Sequence, residues 1–214
     1  MAERRGCGSA LPVVSEGLVE PLDGVVARYI CIPLSSRLDG FLSHSRLRLK
    51  HLSLTAVLIA LASGCAAYLD GLVAAGLLAF TAFLTSWLGW RQAERFGASK
   101  LWILAGSILD RVGEAFIISG MAASPAIMGD PWRLIGVLAL AGSLSVSYTA
   151  VRGGREYKGF AWRGFSAYGA TRDVRFTVIA SSSILEAPSL GLTVLAVLTL
   201  TVVVKRLVDL LSLG

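Results

Sequence analysis

Six apolar stretches, at 52–69, 71–90, 101–123, 133–151, 174–187 and 189–211, take up most of the chain. A bilayer core about 30 Å thick needs roughly 20 such residues of helix to cross it. Inside it every backbone N–H and C=O must find a partner within its own segment or in a closed barrel. Hydrophobic residues make up 55% of the chain, above the roughly 45–50% of an ordinary soluble domain even with glycine counted. The expected fold is all-α and integral to the membrane, with six transmembrane helices. The fifth stretch is short, contains Ser181-Ser182-Ser183, and is divided from the sixth only by Glu186-Ala187-Pro188.

Charge between the stretches alternates in sign. Arg37, Arg46, Arg48 and Lys50 precede the first; Arg91, Arg95 and Lys100 lie between the second and third; Arg152, Arg155, Lys158, Arg163 and Arg172 between the fourth and fifth; Lys205 and Arg206 near the end. The opposite loops carry Asp70, Asp130 and Glu186, with Arg133 the only cation near them. The positive-inside rule then puts both termini in the cytoplasm of a cell-membrane protein. The net charge of +6 is spread over these loops, which suits anionic headgroups and excludes nucleic acid as the expected partner. Tyr157, Phe160 and Trp162 among the basic residues, and Trp87, Trp90 and Trp102, read as interfacial anchors.

Three segments are expected: a loose tail at 1–20, an interfacial amphipathic and basic segment at 21–51, and a six-helix membrane domain at 52–214. In the second, Leu22, Val25, Val26, Tyr29 and Ile30 fall on one helical face. Cys7, Cys31 and Cys65 are scattered, with neither disulfide nor zinc spacing. Residues 1–20 hold no apolar run of signal-peptide length.

Inside the third stretch stand Asp110, Arg111 and Glu114, where charge is costly in lipid. Asp110 and Glu114 are four apart and so share one helical face. They read either as metal ligands with Asp110 a base, or as a buried cluster ion-paired with Arg111 or a basic loop. Arg172 and Arg175, three apart, lie at the start of the fifth stretch, where Thr171 or Asp173 would cap a helix whose amide-rich end favours an anion. They read as an anion site or as membrane anchors.

Pro21-Leu-Asp-Gly-Val-Val-Ala-Arg-Tyr-Ile, then Ala98-Ser-Lys with Leu109-Asp-Arg-Val-Gly-Glu-Ala-Phe-Ile-Ile-Ser-Gly120, then Leu138 to Arg152 with Thr171-Arg-Asp-Val-Arg175, together resemble the CDP-alcohol phosphatidyltransferase family. The first stretch is most like the archaeal-type members that use inositol phosphates. The resemblance implies six helices, a CDP-alcohol donor, and two Mg²⁺ or Mn²⁺ ions held by the carboxylates of D-x2-D-G-x2-A-R-x8-G-x3-D-x3-D. The metals would offset the diphosphate charge as CMP leaves, and the last Asp would act as base. Laid on this chain, that signature meets Thr85, Leu88, Gly89, Gln92, Ala93, Trp102, Gly106 and Asp110, so three of four carboxylates are Thr85, Leu88 and Gly106.

A one-turn slip gives Gly106-x3-Asp110-x3-Glu114, with Glu94 a third candidate. Glu20-x2-Asp23-Gly24-x2-Ala27-Arg28 copies the first half of the signature but precedes the first span. The resemblance also gives Arg172 and Arg175 the acceptor's phosphate as ligand. The main expectation is a family member in phospholipid headgroup synthesis whose two-metal transfer is impaired or altered, serving alone, as a homodimer, or beside an active relative. The alternative is an active phosphoalcohol transferase with a metal site altered to Asp110 and Glu114. A small transporter is the third reading, without the internal repeat that would support it.

Overall fold

The computed structural model describes Val26, Tyr29, Ile30, Pro33 and residues 47–127, 129–156 and 164–212. The expected tail at 1–20, and most of the 21–51 segment, lie outside the described residues. The helices are α1 Leu49–Tyr68, α2 Leu72–Phe96, α3 Lys100–Ala122, α4 Asp130–Glu156, α5 Phe165–Tyr168, α6 Arg172–Ile184 and α7 Pro188–Leu211. Apart from the single turn of α5, these match the expected stretches in order.

Six transmembrane helices are not what forms. Among the described residues three helices are long and apolar enough to cross a membrane: Leu49–Tyr68, Leu72–Phe96 and the Asp130–Ala150 part of α4. They make the protein an integral membrane protein. α3 is long enough, but Asp110, Arg111 and Glu114 fall in its middle and Lys100 at its start. α6 has 13 residues and opens on Arg172, Asp173 and Arg175. α7 carries Lys205, Arg206 and Asp209 in its closing turns. Apolar length and the alternation of loop charge had set the expectation of six, and the charges inside those segments overturn it.

Small residues let the helices close on one another. α1 packs on α2 and α3, α2 on α6, and α4 on α7. Gly120 of α3 meets Gly64 of α1 so closely that a Cβ at 120 would stand 2.2 Å from the Gly64 carbonyl oxygen. One at 64 would stand 2.5 Å from the Phe116 oxygen. The core they seal includes Ala79, Phe83 and Trp87 of α2, Ile117, Ile118 and Met121 of α3, Phe176 and Ile179 of α6, and Leu192 and Leu195 of α7. Asp70, at φ 66°, and Glu186, at φ 54°, turn the chain after α1 and α6.

The start of α1 lies at the α2–α3 turn, where Leu49 joins Trp90 and Ala93 in a second apolar cluster with Trp102 and Ile103 against it. Ser99 caps α3 there, its Oγ accepting from the Trp102 N–H at 3.4 Å. Thr171 stands at the N-cap of α6 without a side-chain cap bond. The Asp173 carboxylate instead accepts the backbone N–H of Val26, at 2.8 Å, which ties the N-terminal segment to the first turn of α6.

Candidate functional site

Four residues apart on one face of α3, Asp110 and Glu114 turn inward and are buried. A carboxylate in such a place must be paired or neutralised, and α6 supplies the partners. Arg172 Nη1 donates to Asp110 Oδ2 at 2.6 Å and Nη2 to Oδ1 at 3.0 Å. Arg175 Nε donates to Glu114 Oε1 at 2.7 Å and Nη2 to Oε2 at 3.1 Å. The three-residue step of α6 thus meets the four-residue step of α3, and each guanidinium forks onto its own carboxylate.

Each pair has further support. Ser86 Oγ and Trp90 Nε1, four apart on α2, both donate to Asp110, the indole at 2.9 Å. The Arg172 guanidinium lies 5.8 Å from the ring centroid of Phe83 and 5.6 Å from that of Phe176, within cation–π range of both. Glu114 accepts from Ser143 of α4 at 2.5 Å and from Arg111 at 3.2 Å. Arg175 Nη1 donates to the Ala170 carbonyl at 2.7 Å. Among the described residues, Asp110 and Glu114 thus accept from three guanidinium groups, those of Arg111, Arg172 and Arg175. The opening beside Asp110, Arg172, Ser86 and Phe176 is about 10 Å³, room for about one water.

The other expected residues stand apart. Thr85 turns its hydroxyl back to the Thr81 carbonyl at 2.8 Å, and Leu88 packs on the main core. A Cβ on Gly106 would meet Ser53 Oγ at 3.3 Å and the Trp90 ring at 3.5 Å, so the indole fills the space an acid there would need. Glu94 pairs with Arg91 at 2.9 Å on the surface. Ser86, Trp90 and Ser143 were missed. Ser86-x3-Trp90 was a visible one-turn spacing, but Trp90, expected at the interface, is 6% exposed and points its N–H at a carboxylate.

These residues, as paired, do not fit a divalent cation. Every oxygen of Asp110 and Glu114 accepts from a guanidinium. Among the described residues no group of three or more His, Cys, Asp and Glu could hold a metal.

No family model matches the chain. A curated protein of Rubrobacter xylanophilus, a bifunctional IPC transferase and DIPP synthase, is 44% identical over 87 residues, 39% of this chain and 19% of that protein. The chain thus matches about a fifth of the length of that relative. Among solved structures, the phosphatidylinositol phosphate synthase PgsA1 of Mycobacterium tuberculosis in apo form has a TM-score of 0.64 at 20% identity, covering 82% of this chain and 93% of that one. Its form with CDP-DAG bound also scores 0.64 at 20% identity, covering 83% and 92%. The form with manganese and citrate scores 0.58 at 20% identity, covering 83% and 87%. At that identity the structural likeness shows the fold alone. The chain is thus similar in sequence to part of the IPC transferase and DIPP synthase, over 87 residues, and shares the fold of the phosphatidylinositol phosphate synthase over most of its length.

Proposed function

We propose that this protein is a membrane transferase that moves a substituted phosphate from a CDP-alcohol to a hydroxyl, through a site altered to Asp110, Glu114, Arg172 and Arg175. The forked pairing of Arg172 with Asp110 carries the reading, because a phosphate presents the same two-oxygen edge to a guanidinium as a carboxylate does. A diphosphate entering beside Ser86 would take Arg172 from Asp110, and a phosphate group would likewise draw Arg175 from Glu114. Asp110 is then free to accept the proton of the attacking hydroxyl. The acceptor oxygen bonds to the phosphorus that bears the alcohol, the bond from that phosphorus to the CMP oxygen breaks, and CMP leaves with the electron pair.

With the arginines so turned, Asp110 and Glu114 are the residues that would hold Mg²⁺ or Mn²⁺, which would supply further positive charge at the diphosphate. The solved relatives bound to CDP-DAG and to manganese support a donor and a cation of these kinds. The α2–α3 turn, with Arg91, Arg95 and Lys100, faces the cytoplasm in this reading. The start of α1, seated against Trp90 and Ala93 near the end of α2, lies on the same side.

A second reading rests on the same closed pairs: the protein keeps a nucleotide or phosphate pocket and acts beside an active relative without turnover. The two separate in an assay of the purified chain with CDP-activated alcohols, polyol phosphates and divalent metal. CMP release abolished by Asp110→Asn is the expected result. Donor binding lost in Arg172→Gln, with no CMP released by the unmodified chain, would leave the second reading standing.

A further inference from the structure

The far end of α3 lies about 20 Å from Asp110 at 1.5 Å per residue. There the turn after α3 and the first turns of α4 enclose two adjoining openings. One, of about 660 Å³, is walled by Tyr68, Leu69, Ser124, Pro125, Ile127 and Arg133. The other, of about 450 Å³, shares Tyr68 and Arg133 and continues between α3 and α4 along Ile118, Ala122, Gly136, Val137 and Leu140. Gly136 forms its floor: a Cβ there would stand 2.4 Å from that of Ala122, so no side chain rises from α4 at that point. Val137 and Tyr68, each 60% exposed, leave the walls bare.

Arg133 stands exposed at the mouth. It makes no hydrogen bond or ion pair with any described residue, Asp130 one turn earlier included. A cation over an apolar furrow matches a molecule with an anionic head and a hydrocarbon tail. A free phosphate would use the arginine and leave the furrow empty. An apolar helix would fill the furrow and bury an unpaired charge, a costly arrangement.

We propose that this groove holds one anionic phospholipid, its phosphate on Arg133 and one acyl chain along Ile118, Ala122, Val137 and Leu140. The volume falls in the range of small-molecule pockets. The site is separate from the Asp110 cluster and does not depend on transfer there.

The test titrates the delipidated full-length protein with phosphatidylglycerol or phosphatidylcholine and counts bound lipid by native mass spectrometry. The unmodified protein should hold one phosphatidylglycerol roughly tenfold more tightly than phosphatidylcholine, the scale of one charge-assisted hydrogen bond. Arg133→Gln should remove that preference, Arg133→Lys should keep most of it, and Val137→Trp, which fills the furrow from an exposed position, should weaken both lipids. Asp110→Asn should change nothing. Equal affinity for the two lipids in the unmodified protein, or an undiminished preference in Arg133→Gln, overturns the proposal. So does displacement of phosphatidylglycerol by millimolar inorganic phosphate, which would mark a free-anion site, or a disulfide between copies carrying Val137→Cys, which would put a second copy in the groove.

Discussion

Arg175 and Glu114 form a two-point ion pair closed to solvent: Nε to Oε1 is 2.7 Å, Nη2 to Oε2 is 3.1 Å, and the side chains are 0% and 2% exposed. It joins α6 to α3 at 61 residues' separation, with Ser143 of α4 on the same carboxylate. Losing one partner strands the other's charge. Arg175→Met and Glu114→Gln should each lower stability by about 3–5 kcal/mol, and Arg175→Met with Glu114→Leu by less than the sum. Unfolding midpoints in one detergent check this; additive losses would show that the two residues are not coupled.

Trp90 donates to the buried Asp110 carboxylate through its indole N–H. Trp90→Phe keeps most of the ring and removes only that donor, at a cost of about 1–3 kcal/mol for a buried charged acceptor left one bond short. Trp102, half-buried at the start of α3, makes no such bond, and Trp102→Phe should fall within about 0.5 kcal/mol of the unmodified protein. Equal effects of the two changes would mean that the indole serves only as bulk.

The same comparison shows what could be read in advance. Periodicity put Asp110 with Glu114, and Arg172 with Arg175, because the spacing within one helix is set by its pitch. Which helix faces which is set by packing between segments about 60 residues apart, so the sequence left Asp110 and Glu114 open between metal ligands and ion pairs. The family signature pointed to Thr85 and Leu88, yet Ser86 and Trp90 reach Asp110. A shift of one residue rotates a helix by about 100°, and no local pattern on α2 decides it. The span count failed where apolar length and loop charge were given more weight than the charges within α3 and α6.

Glycine at 120 is required by its neighbour and not by its own backbone. A Cβ there would overlap the Gly64 backbone, with its oxygen at 2.2 Å, and backbone cannot rotate aside. Gly120→Ala should therefore force α1 and α3 apart, costing about 1–3 kcal/mol. A methyl group on Gly97 would meet nothing within 4 Å, but the residue sits at φ 74° and ψ 158°, a region only glycine adopts readily, so Gly97→Ala should cost about 1–3 kcal/mol through strain alone. Thermal unfolding measures both variants, and a Gly120→Ala protein within about 0.5 kcal/mol of the unmodified one would contradict the contact.

Metal and donor should act in order at the Asp110 cluster. Alone, Mg²⁺ or Mn²⁺ meets carboxylates already forked onto Arg172 and Arg175, and taking them would leave two buried guanidinium groups unpaired. A divalent ion by itself should therefore leave the unfolding midpoint where an equal ionic strength of NaCl leaves it. A CDP-alcohol offers the arginines a phosphate in exchange, so it should stabilise the protein alone, by about 2.7 kcal/mol at a hundredfold excess over its Kd. The ion should add to this only when the donor is present, through carboxylates the donor has released. Arg172→Gln, which removes the competitor for Asp110, should blunt the donor's effect while letting Mn²⁺ shift the midpoint without it. The observation that would sink this order is full stabilisation of the unmodified protein by Mn²⁺ with no donor, since that would require a metal site assembled from residues other than the paired Asp110 and Glu114.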